Sequence, residues 1–500
     1  MRTSKGSFAA LALVTIVTAQ VASAPPAAPG PMPAPASFDD AGLAWTAEDA
    51  LERAAAARRL CGRGEYEQAL AVLPADGAAD ADPHGLTGRE RARIAATIAL
   101  RDTVLLDSER NKTVIAVNID GKEVRGRVVR RDGESIVLLV GTTERTAPCS
   151  AVTHLTLQRE GTRLRRFEGN DRWLEVWVRW LQGQSLATLG AMLAVDNASM
   201  KALRADLPKA VDPAAGMAGE GLWRLQNLKL ADARPEALRQ LQIVQSIVKA
   251  NRTAPQFAAR RATIEALVRA VAERAFDPTD ATQYGLDGKV SRLADGRICV
   301  EYSRPREVAS LDCTPEKLRD PPFSTPKEKI EHAGPDGFVP LDPIWQWIGS
   351  GYVTWAVPLC GHQTVEFDFT ITSFGHWHVL LCSEGNAALA VALSGVVTVL
   401  DPATGLNGEV GTSKVVTEGE RTRFHIDFDG ESRLEVRQGV ETTAKVTEVG
   451  TRRRGALRFC VHASPGANIA NLRITGMPDL SDPTPLRERY VSRVLAEAWR

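Results

Sequence analysis

Phe424, Ile426 and Phe428 alternate with Arg423, His425 and Asp427, and Leu457, Phe459 and Val461 alternate with Arg458, Cys460 and His462. An apolar residue at every second position marks a half-buried antiparallel strand. The pattern returns at Val365, Phe367, Phe369 and Ile371. Further strand-length runs cover 288–302 (a hairpin around Asp295-Gly296), 353–357, 376–382, 389–393, 396–400, 433–439 and 470–476. About ten such runs divided by Gly and polar turns predict an antiparallel β-sandwich over 284–479.

Before it the period changes. From 45 to 107 the spacing is helical: Thr46 with Asp49 reads as a cap and its box partner, and an Ala-rich helix runs to Leu60. Cys61-Gly62-Arg63-Gly64 breaks it, a second helix starts at Glu65 and stops at Pro74, and a third starts at Thr87 with Glu90 as box partner. The first two resemble one tetratricopeptide hairpin, with no repeat at that period behind it. Over 112–160 the period is two again: Ile115, Val117 and Ile119 alternate, Asp120-Gly121 and Asp132-Gly133 turn, and Leu155 and Leu157 close the set. Hairpin turns of this kind predict a small SH3-like barrel, read as a spacer rather than a peptide groove. From 171 to 276 helices return. Trp173, Val176, Trp177, Trp180 and Leu181 form one apolar stripe, a core stripe rather than a ligand platform. A further αα-hairpin lies around Val195–Asn197, and Pro235 and Pro255 open the last helices of this stretch. Residues 480–500 read as a C-terminal helix or tail. The expected fold class is multidomain α+β.

Composition narrows the partners. Lys plus Arg and Asp plus Glu number 61 each, so no basic footprint for nucleic acid exists. Arg2 and Lys5, an apolar run from Phe8 to Ala19 and Ala22-Ser23-Ala24 make residues 1–24 a signal peptide, followed by a Pro/Ala-rich linker over 25–44. The chain is expected to be exported (periplasmic, cell-surface or extracellular), with no transmembrane segment after cleavage. Of the 7 cysteines, Cys299 with Cys313 and Cys360 with Cys382 are near enough in sequence to bridge. No nucleotide, zinc-protease or serine-hydrolase motif and no calcium loop is present, and no cofactor is expected.

The order of strands, from Val365-Glu366-Phe367-Asp368-Phe369 through Arg433–Gly439 and Leu457–Val461 to Ala470-Asn471-Leu472-Arg473-Ile474-Thr475-Gly476, resembles the concanavalin A-like lectin/glucanase jelly roll. The likeness is to exported bacterial proteins related to 3-keto-disaccharide hydrolase and to laminin-G-like modules, and covers 284–479 only. Such a resemblance implies a fold that hosts lectins, hydrolases and adhesion modules alike. It also implies that retaining hydrolases carry three acids on one strand, as E-x-D-x-E. Here Glu366 and Asp368 supply two, the candidate catalytic pair, and Thr370 stands in place of the third. His376, His378 and His425 are the candidate metal ligands. Trp345 and Trp347 are candidate sugar-stacking rings, whereas Trp355 and Trp377 are expected to fill the core. The expectation is a non-enzymatic binding or surface protein that takes carbohydrate on its jelly roll. The competing readings are a glycosidase-like hydrolase acting on a modified sugar and a protein-interaction module.

Overall fold

The computed structural model describes residues 49–74, 85–210, 212–286, 288–302, 357–371 and 467–500, together with the strands and short turns named below between 313 and 462. The signal peptide and linker expected over 1–44 lie outside the described residues, apart from Leu43. Helices and antiparallel sheets make this an α+β molecule of two compact units: Ala34–Phe276 with Glu488–Arg500, and Asp277–Arg487.

The first unit is mainly helical. Its helices are α1 (Ala50–Gly62), α2 (Tyr66–Val72), α3 (Leu86–Asn111), α4 (His154–Arg163), α5 (Arg172–Leu181), α6 (Gly190–Leu193), α7 (Ala198–Asp206), α8 (Pro213–Gln226), α9 (Arg234–Asn251), α10 (Pro255–Ala259) and α11 (Arg261–Ala275). Between α3 and α4 lies a four-stranded antiparallel meander: β1 (Val114–Ile119), β2 (Lys122–Asp132), β3 (Ser135–Val140) and β4 (Thr143–Pro148). Asp120 and Gly121 both take positive φ, 52° and 75°, as a tight hairpin with the strands' own twist requires. Leu155 and Leu157 do not close this sheet. Thr153 caps α4 by accepting from the Thr156 N–H, and both leucines lie on that helix.

The two acids expected as box partners serve tertiary structure. Asp49 precedes α1 without capping it, and Arg260 Nη2 donates to both of its carboxylate oxygens, at 2.7 and 3.0 Å; Thr46 lies outside the described residues. Thr87 lies inside α3, which starts from Gly85, and Glu90 is buried in an ion network with Arg58 and Arg93. Arg93 also reaches Asp206 at 2.8 Å. Trp177 is fully buried and stacks on Trp180 at 5.3 Å, with the Arg58 guanidinium over both rings.

The second unit holds β5 (Lys289–Arg292), β6 (Ile298–Tyr302), β7 (Cys313–Glu316), β8 (Phe338–Leu341), β9 (Ile344–Trp347), β10 (Gly351–Trp355), β11 (Leu359–Ile371), β12 (His376–Glu384), β13 (Ala387–Ala392), β14 (Thr398–Asp401), β15 (Leu406–Glu409), β16 (Arg421–Phe428), β17 (Leu434–Gln438), β18 (Glu441–Val446), β19 (Arg454–His462) and β20 (Ala467–Pro478). They form two antiparallel layers. One runs β5-β6-β20-β11-β16-β17-β18, with the β8–β9 hairpin also on β20. The other runs β7-β10-β19-β12-β13-β14-β15. They join at a corner, where Leu359 and Cys360 of β11 pair with Gly455 and Arg454 of β19. Phe367 of the first layer meets Phe459 of the second edge-on at 5.9 Å, so the inner faces pack on each other. Trp355 is buried here and its indole N–H donates to Tyr302 Oη at 2.9 Å.

After the sandwich the chain forms α12 (Thr484–Trp499), whose larger part belongs to the helical unit. There Glu488 pairs with Arg269 at 2.7 Å, Tyr490 meets Phe276 at 5.6 Å, and Arg261 lies over Trp499. Among the described residues no helix is long and apolar enough to cross a membrane.

Candidate functional site

The first layer turns an apolar side inward and a charged side outward. Val365, Phe367 and Phe369 on β11 and Phe424, Ile426 and Phe428 on β16 are buried. The residues between them point the other way, because successive side chains of a strand alternate. Register then aligns Lys289, Glu301, Arg473, Glu366, His425 and Arg437 in one row across the sheet.

Glu366 sits in the middle of that row. Its Oε2 accepts from Arg423 Nη2 at 3.0 Å, while Oε1 lies 3.5 Å from His425 Nδ1 and 3.9 Å from Arg473 Nη1. Asp368, one pleat along, is held more tightly. Arg421 and Asn471 Nδ2 (2.7 Å) donate to Oδ2, and Arg423 Nη1 donates to Oδ1 at 3.3 Å. Burial pushes the Asp368 carboxyl up, but the bonds from Arg421 and Asn471 and the nearby guanidinium charges outweigh it. The group is therefore held below its ordinary value.

A bulge creates the Asn471 contact. Between Glu366 and Asp368 the register on β20 jumps from Arg473 to Ala470, and Asn471 takes φ 49°, turning its amide toward Asp368. A second bulge lies at the start of β11, between Cys360 and Gln363. There Arg297 donates to His362 Nδ1 at 3.0 Å, which leaves Nε2 to donate to Asp427 at 2.6 Å. The His362 bond is the main reason the Asp427 carboxyl lies below its ordinary value; burial opposes it and Thr364 adds a further bond.

The structure thus brings Glu366, Asp368 and His425 onto one face. It does not bring the three candidate histidines together: His378 is buried on β12 of the other layer, beside Ala392 and Cys460. His376 shares that strand, and its side chain lies outside the described residues. Among the described residues no three His, Cys, Asp or Glu side chains gather as metal ligands would. The side chains of Trp345 and Trp347 also lie outside the described residues. Their backbone joins β20, with Trp345 opposite Ile469, and Ile469 in turn lies opposite buried Phe369. Neither candidate cysteine bridge forms, since Cys299 and Cys360 are free thiols. Cys299 Sγ accepts from Arg473 Nε at 3.1 Å, Cys360 donates to the Pro478 carbonyl, and Cys382 accepts from Gln363 on the opposing layer.

Arg421, Arg423, Arg473 and Asn471 escaped the sequence reading. The arginines of β16 were visible as the complement of Glu366 and Asp368, since R-x-R-x-H faces E-x-D on the next strand. Asn471 depends on a bulge that carries no local signal.

No protein-family model matches the chain, and no curated protein matches it. Solved structures similar to it include the carbohydrate-binding module CBM66 from Bacillus subtilis, at 11% identity over 26% of this chain and 85% of that one, TM-score 0.23. A protein of unknown function with a galectin-like fold from Bacillus subtilis is similar at 8% identity over 27% and 84%, TM-score 0.23. LamAcat from Zobellia galactanivorans is similar at 10% identity over 35% and 93%, TM-score 0.26.

Proposed function

We propose that the chain is an exported binding protein whose sandwich is a concanavalin A-like jelly roll taking carbohydrate on the outer face of its first layer. The row around Glu366 carries this reading. A sugar presents hydroxyls that both donate and accept, and the row sets guanidinium and imidazole N–H groups beside a carboxylate oxygen that is only loosely held. The opposing demands of hydrolysis weigh against catalysis. A glycosidase needs one carboxyl kept protonated near neutral pH. Asp368 is pushed the other way by Arg421 and Asn471. In this reading the two acids orient guanidinium groups and accept from hydroxyls.

In this reading the meander is an SH3-like spacer module. Residues 1–24 direct export, and the secreted protein should begin at Pro25, which N-terminal sequencing would read directly.

A glycan array with the secreted protein tests the binding reading. Glu366→Gln should reduce any signal about tenfold by removing a charged acceptor, and Trp345→Ala with Trp347→Ala asks separately whether those rings stack on sugar. Silence across the array, or a signal indifferent to Glu366→Gln, would remove this face from consideration.

A further inference from the structure

We infer, building on the carbohydrate reading, that the ligand of this face is an anionic glycan carrying uronate carboxylates or sulfate esters. The charges of the face are layered. Its central acids are covered, the side chains of Glu435, Asp368 and Glu366 being 9, 12 and 24% exposed, while Glu301 and Asp427 nearer one end are 43 and 36% exposed. The guanidinium groups over the central acids are the outer ones: Arg437, Arg421 and Arg473 are 47, 55 and 43% exposed. A molecule approaching over Arg421 and Arg437 therefore meets donors first, although the chain as a whole is neutral.

Each outer arginine gives part of its fork to the acid beneath. Arg437 Nε donates to Glu435 at 2.6 Å, Arg421 Nη2 donates to Asp368, and Arg473 Nη1 stands 3.9 Å from Glu366. A guanidinium carries five N–H donors, so each keeps donors for an outside acceptor. Carboxylate and sulfate oxygens take such forks in pairs, more strongly than a neutral hydroxyl takes a single bond. The covered acids fix the arginines before the ligand arrives, which lowers the ordering cost of binding. They also limit the field at long range, which disfavours unselective capture of polyanions.

The test uses the full-length protein with polygalacturonate, dextran sulfate, neutral dextran and single-stranded DNA as probes. We expect binding to one or both charged polysaccharides, weakening as salt is raised, and none to neutral dextran. Which of the two binds separates the carboxylate source from the sulfate source. Arg421→Gln and Arg437→Gln should each weaken binding about tenfold, equivalent to about 1.4 kcal/mol. Both should keep the parent's melting temperature, because Asp368 retains Arg423 and Asn471 and Glu435 retains Arg433. Arg421→Lys should recover part of the loss, keeping the charge without the fork. Binding confined to neutral sugars on the array would overturn this inference and leave the carbohydrate reading standing. DNA binding as tight as the polysaccharides would overturn selectivity for glycan, and silence across the array and every probe would remove both readings.

Discussion

Gly430 sits where a side chain has no room. Its φ is +85°, and a Cβ there would collide with the backbone of Gly361, itself part of the bulge that presents His362. Gly430→Ala should lower stability by roughly 2–4 kcal/mol, the sum of left-handed strain and overpacking. Gly133 has the same sign of φ, 58°, but open space around it, so Gly133→Ala should lower it by only about 1 kcal/mol. Chemical denaturation of the two variants separates the steric contribution from the conformational one. Titratable residues make a second prediction at this scale. Burial holds His154 below its ordinary value of 6.5, against a 2.9 Å bond to the Cys61 carbonyl that raises it. The unfolded chain therefore binds this proton more readily, and the His154 contribution to stability is complete above pH 6.5 and shrinks below it. Burial would raise Asp206, but bonds from Arg89 and Arg93 bring it down from 3.8 to about 2. Its contribution is present above pH 3.8 and is lost as pH falls toward 2. Calorimetry of the whole protein should show the helical unit losing stability in these two separate steps, and His154→Phe should flatten the upper one.

At the scale of elements, β11 was legible and its neighbours were less so. Val365, Phe367 and Phe369 announce a strand by period alone, and burying them fixes which side Glu366 and Asp368 take. Phe367 touches Phe369, Phe424 and Phe459, so Phe367→Ala should cost roughly 3–5 kcal/mol in the sandwich, read from its denaturant midpoint. The partners of the acids come from β16 and β20, far along the chain: the alternating charges of β16 show a complement to the acids, but not that the two strands pair. Leu155 and Leu157 fit a strand and a helix equally well until Thr153 is seen to cap α4. Thr46 with Asp49 and Thr87 with Glu90 have the spacing of capping boxes. Both acids are drawn into ion pairs, with Arg260 and with Arg58 and Arg93, where burial makes each contact stronger than a surface cap.

For the whole molecule, the sandwich unit Asp277–Arg487 is an insertion in the helical unit, which the chain leaves after Phe276 and rejoins at Glu488. The two points meet at the Phe276–Tyr490 ring contact. Replacing 277–487 with a short Gly/Ser linker should leave a helical unit that melts cooperatively and keeps α12 docked, as circular dichroism would report. Tyr490→Ala should destabilise that unit by roughly 3 kcal/mol, since the ring is buried where α12 closes on α11. The helical spacing of 480–500 was legible, but its return to the first unit was not: an amphipathic helix does not name the surface it will cover.

That return sets an order of events in folding. Helix α12 follows the whole sandwich in the sequence, so α9 and α11 wait for their last partner until the inserted unit has been made. If the insert were still a coil, closing the helical unit would mean closing a loop of 211 residues (487 − 277 + 1), at an entropic cost near 5 kcal/mol. A sandwich that has already folded replaces that coil with a compact body whose own two ends can be held close together. The inserted unit then sets the pace of the unit it interrupts: a slow sandwich delays the docking of α12.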